Sequence, residues 1–330
     1  MRVSGAHACL DPTPGRADSR VLTDARVLGI EFNGCRASGV RARLDSVNRR
    51  FACKGEVPLA AGAVGSPQLL MHSRVGPAGE IARFGVSPVP NASGIGTNLL
   101  AHLEIHNAHR VRNPTLNQRL DSVCVRVWMW IQFALRCRGP LAMGAAAIFA
   151  FPGSAPGVDR ADIRFNVLPW SSDNPGKGFH EFPGFTISIC PTRPESRSEI
   201  RLKSPDPMDP PAIQANCLST ERDRRTTVAG LLKAREICRR APVSDQIEEE
   251  LWPGPGLAEA GNAALLKGIK ERVTTISRLC GTVAIGEGRP LDECCRVGSR
   301  GIEGGRCFGH AFDSLGQHQR GSEHDCREGE

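Results

Sequence analysis

Tyrosine is absent from this chain of 330 residues, and aromatic residues as a whole make up only 5%. A chain of this size ordinarily carries several tyrosines, and composition alone does not explain their loss. A long apolar run is missing too. The most apolar stretch, DSVCVRVWMWIQFALRC (121–137), contains Arg126 and Arg136. It falls short of the roughly 20 consecutive apolar residues of a membrane span, which predicts a buried or site-covering helix instead. No cationic segment followed by an apolar run opens the sequence, so no secretory signal is visible. The thirteen cysteines follow no repeating spacing, and an odd count argues against a disulfide framework. The expected compartment is therefore reducing and cytoplasmic. Net charge is +7 with pI ≈ 8.9. The arginines are scattered rather than striped, which argues against nucleic acid as a partner. There is no internal repeat.

What is present reads as globular. Apolar residues make up 40% and charged residues 23%, with a mean hydropathy of -0.25. The length suffices for two ordinary domains with a sizeable core. Residues 20–42 carry alternating and β-branched side chains, which predicts two strands with a turn at Asn33–Gly34. A further strand is expected through GEVPLAAGA (55–63), although Pro58 argues against a central position. A helix should follow, capped by Ser66 with Pro67 at its first position. RSEIRLKS (197–204) alternates like a strand, with Ile200 and Leu202 facing one way. Residues 220–240 carry the best helical pattern. Thr220 is its N-cap, Asp223 holds the capping-box position, and Val228, Leu231, Leu232 and Ile237 form one apolar face. A second helix is expected over 257–273, and after Gly281 the pattern dissolves.

Two motifs invite a ligand and fail on spacing. GIGTNL (94–99) begins like a dinucleotide fingerprint but lacks the third glycine, and it follows a loop rather than a strand, so it reads as a turn. Cys280, Cys294, Cys295, Cys307 and Cys326 with His310, His318 and His324 suggest zinc, but adjacent cysteines suit a tetrahedral site poorly. No metal is expected.

A sequence of separate runs carries more information. AAGAVGSPQLLMHSRVGP (60–77) resembles the family signature A-G-A-x-x-S-P-Q-L-L-M-L-S-G-I-G-P. FGVSPVPNASGIGTNLLAH (84–102), GPLAMG (139–144) and RPESRSEIRLKSPDPMDPPAI (193–213) resemble further runs of the same family, in its order. The family is that of the glucose–methanol–choline (GMC) FAD-dependent oxidoreductases, in its choline and alcohol dehydrogenase-like form. The resemblance covers roughly residues 16 to 305.

It implies a mixed fold: an incomplete Rossmann-like α/β FAD-binding domain, and an α+β substrate domain built on a sheet flanked by helices. Residues 1–15 are expected to be an irregular leader, 16–108 the later part of the FAD domain, 109–286 the substrate domain, and 287–330 a degraded flavin-covering tail. The implied cofactor is FAD and the implied substrate a small-molecule alcohol, oxidised from CH–OH to carbonyl. Val27, Ala61, Gly62, Ser66 and Asn98 fall on the implied cofactor-binding positions. The family's glycine-rich strand–turn–helix for the pyrophosphate is not found in the sequence.

The family's catalytic histidine lies in a run resembling T-T-x-Y-H-P-x-G-T-C-x-M-G. Here the run is TTISRLCGTVAIG (274–286), which puts Arg278 at the histidine position. Arginine keeps its proton at physiological pH and cannot serve as a base. Ser277 and Cys217 stand where the family has tyrosine, which accounts for two of the missing ones. Arg74 replaces a glycine and Ala101 an aspartate. An inactive chain is therefore expected, with a non-catalytic remnant or a flavin-free binding module as the alternative.

The last residues sharpen this. RCFGHAFDSLGQHQRGSEHDCREGE (306–330) matches nothing in the family as it stands. Back-translated with permitted codons and shifted by one base, it yields D-A-S-A-M-P, S-T-N-A and S-M-I-A-E-K, three runs of the family's closing segment. A frameshift near codon 305 is the expectation. Sequencing the gene checks it: a second frame that does not encode M-I-A-E-K removes the idea.

Overall fold

The first strand pair forms because its residues alternate and because the chain can reverse at Gly34, where φ is +59°. In the computed structural model, which describes residues 6–11, 16, 19–34, 36–89, 91–144, 146–173 and 178–284, β1 (Arg26–Asn33) pairs antiparallel with β2 (Arg36–Leu44). A third strand, β3 (Val47–Ala52), joins through Asp45 and Ser46, both at positive φ. Positive φ at two successive residues is the tight hairpin turn that matches strand twist. The region 55–63 differs from expectation. It forms no strand among the described residues; only Leu59 makes an isolated bridge.

Helix α1 (Gly62–His72) starts four residues before the expected cap. Gly62, at φ +79°, turns the chain into the helix. Ser66 and Pro67 are then interior and buried rather than cap and first residue. Pro67 has no N–H for the Ala63 carbonyl four residues back, and that carbonyl accepts the Thr282 hydroxyl instead. Ser73 closes the helix: its hydroxyl donates to the Leu69 carbonyl (2.6 Å) and accepts the Ile30 N–H (2.7 Å). That stitches α1 onto β1. Arg74, at the family's glycine position, adopts φ +69°, a conformation that costs a side chain roughly 1–2 kcal/mol. The short helix α2 (Ala78–Ala82) follows. Leu70, Met71, Val75, Ile95, Leu99 and Ile200 close one core around these elements.

The second body is an antiparallel sheet. Strand β4 (Leu100–Val111) leads into helices α3 (Leu116–Asp121) and α4 (Val123–Arg136). Then come β5 (Ile148–Ala150), β6 (Ile163–Leu168) and β7 (Gly184–Pro191). A small pair, β8 (Glu199–Arg201) and β9 (Ala212–Gln214), precedes the long helix α5 (Glu221–Cys238). Strand β10 (Ile247–Trp252), helices α6 (Gly254–Glu259) and α7 (Asn262–Arg272), and β11 (Thr274–Cys280) complete the order. The sheet runs β10-β4-β7-β6-β5, with β11 also pairing β4. Position 108, the expected domain boundary, lies inside β4.

Thr220 caps α5 as expected, its hydroxyl accepting the Asp223 N–H at 3.2 Å. The apolar face is narrower than expected. Val228 and Leu231 are buried, whereas Leu232 and Ile237 face outward. Gly230 explains the close seat: a Cβ there would crowd Ile189 and Ile163 on the sheet. The helix expected over 257–273 is two, α6 and α7, broken at Gly261 with φ +90°. The stretch 121–137 is helical but not buried, since only Met129 of α4 is enclosed.

A polar lock fastens α5 to the sheet. Arg235 grips Glu250 on β10 with two bonds of 2.7 and 2.8 Å. Asn107 on β4 donates to Glu250 (3.0 Å) and to the Trp252 carbonyl (2.8 Å). His109 Nε2–H donates to Asn107 Oδ1 at 2.8 Å, and its ring stacks on Phe185. Burial holds the His109 imidazolium down to a pKa of about 4, Glu250 opposing and Arg235 reinforcing the effect. Burial alone would raise the Glu250 carboxyl, but Arg235, Asn107 and His109 outweigh it and the net direction is down.

On acidification the unfolded chain therefore takes up the His109 proton first. Stability is full above pH 6.5 and falls by roughly 3 kcal/mol on the way to pH 4. Loss of the Glu250 contribution follows as pH falls further, through its depressed folded value. Urea unfolding across that pH range should show the slope between 6.5 and 4, and His109→Gln should flatten it.

Candidate functional site

Three segments meet at the first turn of α1. Thr282 donates its hydroxyl to the Ala63 carbonyl at 2.6 Å. The Gly96 N–H donates to the Thr282 carbonyl at 3.0 Å. Asn98 Nδ2 donates to the Gly281 carbonyl at 3.4 Å, and Asn98 Oδ1 accepts from Arg197 Nε at 2.9 Å. Gly281 sits at φ +93°, and a Cβ there would collide with the Asn98 carbonyl oxygen. So the GIGTN loop is a turn, as its spacing implies, and it clamps the chain leaving β11 against α1.

The expected cofactor positions divide around this junction. Ala61 is the residue before α1 and offers no side-chain cap, which leaves the first N–H groups of the helix without a capping side chain. Ser66 is 3% exposed and its hydroxyl has no hydrogen-bond partner. Asn98 is near the same junction, at φ +59°, but its amide is already used at both ends. Val27 lies on the other side of α1. With Arg26, Ala61, Gly65, Gln68 and His72 it lines a cleft of about 290 Å³. Burial lowers the His72 pKa there, with Asp206 opposing, which favours a neutral ring at the cleft wall.

Arg278 stands on a bulge. Thr275 pairs with Leu103 and Leu279 with Ala101, so 276–278 are pushed out of the ladder, with Ser277 at φ +57°. Arg278 is exposed there. Bulges of this kind re-aim side chains at sheet rims and beside active sites.

The sequence reading missed a polar sheet face. Glu104 and His106 on β4, Ser188 on β7 and Asn166 on β6 lie opposite the face covered by α5. The Ser188 hydroxyl donates to Glu104, Asn166 Nδ2 donates to Ser188 Oγ (3.2 Å), and His106 Nε2 lies 3.4 Å from Glu104. Burial would raise the Glu104 carboxyl, but bonds from His106 and Ser188, with Arg164 nearby, bring it below the usual range. The signal was available in LAHLEIHNAHRV: His102, Glu104 and His106 alternate with Leu103 and Ile105.

Two matches to family models described as GMC oxidoreductase cover residues 1–104 and 194–310. This chain belongs to the GMC oxidoreductase family. It is 32% identical over 307 residues to an oxygen-dependent choline dehydrogenase of Vibrio vulnificus, across 92% of this chain and 54% of that one. It is 31% identical to an alcohol dehydrogenase [acceptor] of Pseudomonas putida, across 90% of this chain and 54% of that protein. Among solved structures, pyridoxine 4-oxidase from Mesorbium loti aligns with a TM-score of 0.73 and 24% identity, across 88% of this chain and 52% of that one. Formate oxidase aligns at 0.78 with 17% identity, across 92% and 59%. The chain spans about half the length of the curated relatives it matches. The fold is the mixed one of GMC flavoproteins, whose cofactor is FAD.

Beside Val27 and Ala61 the described residues leave room for one end of that cofactor. A cleft of about 290 Å³ is at the small end for a ligand pocket and suits a nucleoside moiety rather than a whole dinucleotide. Expectations for the tail 306–330 and for every zinc candidate except Cys280 lie outside the described residues.

Asn98→Ala removes two hydrogen bonds and leaves alanine at positive φ. It should cost about 2 kcal/mol in urea unfolding and expose the chain after Cys280 to limited proteolysis.

Proposed function

We propose that the chain descends from a GMC oxidoreductase that converts an alcohol CH–OH group to a carbonyl with FAD, and that the chain as it stands does not carry out that reaction. The observation carrying this reading is Arg278 on the β11 bulge. In the family's chemistry the redox step belongs to FAD, while the protein positions the alcohol and accepts its hydroxyl proton. An always-charged guanidinium at that place accepts no proton. The polarity of Arg278 also works against the reaction, because a fixed positive charge does not cycle between the two protonation states that acid–base catalysis requires.

In this reading residues 16–108 supply the nucleotide edge, with Val27, Ala61 and Gly62 at the adenine end, and Ser66 and Asn98 shape the α1 junction. Residues 109–286 supply the substrate floor. Ser188 and Asn166 there, with Glu104 and His106 at the end of the preceding segment, would face a small alcohol. Their mutual hydrogen bonding supports a second reading, a binding module without flavin: an ordered polar sheet face is retained where the catalytic position is not. The free thiols of Cys53, Cys124, Cys137, Cys217 and Cys238 accord with a reducing, cytoplasmic setting.

Absorbance of the purified chain decides between these. The expected spectrum lacks a flavin band near ~450 nm and does not change on adding alcohol. A yellow protein that bleaches with alcohol would refute both readings of the chain. A colourless protein that unfolds in one cooperative step supports the binding module over the remnant.

A further inference from the structure

Helix α4 is amphipathic with its apolar side turned outward. Of its fourteen residues only Met129 is buried, and Val125 and Gln132 are partly buried. These three follow the i, i+4, i+7 spacing of a helix resting on a surface. On the opposite side stand Val123, Val127, Trp128, Trp130, Ile131 and Leu135, between 41% and 78% exposed. At 3.6 residues per turn they fill an unbroken arc about 160° wide. A soluble helix normally presents the reverse.

The charge around this face has one sign. From Ser122 to Val158 there is no aspartate or glutamate, and the charged residues are Arg126, Arg136 and Arg138. All three are exposed, and none makes an ion pair among the described residues. Trp128, Ile131 and Leu135 share a cleft of about 350 Å³ with Arg136 and Arg138. After the left-handed cap at Cys137 (φ +49°), the chain presents two more exposed apolar side chains, Leu141 and Met143.

We propose that α4 is a membrane-surface helix that lies flat in the headgroup region of an anionic lipid bilayer. Fourteen residues give about 21 Å of helix, too short for a hydrocarbon core about 30 Å thick. This agrees with the finding that no helix among the described residues is long and apolar enough to cross a membrane. Lying in the plane, it needs only its outer arc to enter the acyl boundary, with tryptophans at the interface and arginines at the phosphates. A second copy of the chain fits less well. An antiparallel two-fold contact through α4 would set Arg126 of one chain toward Arg136 and Arg138 of the other, like charge against like. The inference does not depend on whether the chain oxidises alcohols.

The test is co-sedimentation of the full chain with phosphatidylcholine vesicles, with and without phosphatidylglycerol, followed also by tryptophan emission. Binding to the anionic vesicles should be on the order of a hundredfold tighter, about one factor of five per arginine, with a blue shift of emission. Trp128→Gln combined with Trp130→Gln should weaken binding at least about tenfold without moving the unfolding midpoint, since both side chains are exposed. Replacing Arg126, Arg136 and Arg138 by glutamine should erase the preference for anionic lipid. Equal partition to both vesicle types, no binding, or binding untouched by these substitutions overturns the proposal. So does a chain that self-associates through α4, shown by tryptophan variants that become monomeric while no vesicles are bound.

Discussion

Strand β4 has to satisfy three partners, and the rest of the molecule is arranged by how it does so. One edge pairs with β7 over Ile105–Arg110. The other is divided: β10 takes Ala108–Val111, and β11 takes Leu100–Glu104. A twelve-residue strand is long enough to be shared in this way, at roughly 3.4 Å per residue. The division has two consequences. It brings β10 and its Glu250 under α5, where the Arg235–Glu250–Asn107–His109 lock forms. It also delivers the end of β11 to the first turn of α1, where Thr282 bonds the Ala63 carbonyl.

The lock and the junction use polar groups differently. The lock buries an ion pair whose desolvation is offset by two Arg–carboxylate bonds and the Asn107 amide, so its value lies in fixing the orientation of α5 more than in net stabilisation. The junction relies on backbone: Gly96, Asn98 and Gly281 all take positive φ so that main chains can approach closely. Asn98 is a residue type that tolerates this conformation because its short amide bonds locally. The same approach fixes where Arg278 stands, three residues before Gly281.

The resemblance to GMC proteins was legible because it rests on fixed local patterns. Pro67, the GIGTN turn and the RPESRSEI run keep their spacing whatever surrounds them. The cap of α5 was legible for the same reason: Thr220 bonds three residues away. Other local readings failed where neighbours decide. Residues 55–63 have strand-like composition, yet a strand exists only when another pairs with it. The start of α1 moved to Gly62 because a backbone turn, which no side-chain pattern marks, sets it. Leu232 and Ile237 lie a quarter turn or more round α5 from the face formed by Leu231, Ala234 and Cys238, so they meet solvent when that face meets the sheet.

What the sequence by itself determined is the family, and the identity of each residue along the matching runs, an arginine at 278 among them, since these depend on identity and order alone. What only the tertiary structure decided is which residues meet. Glu104, His106, Asn166 and Ser188 come from three strands spread over more than eighty positions, and they form one face because antiparallel pairing aligns their even-numbered side chains. The direction of α4 was decided there too. Its periodicity is the same whether the apolar arc faces inward or outward, and only the seat of Met129 on the body sets which side meets water.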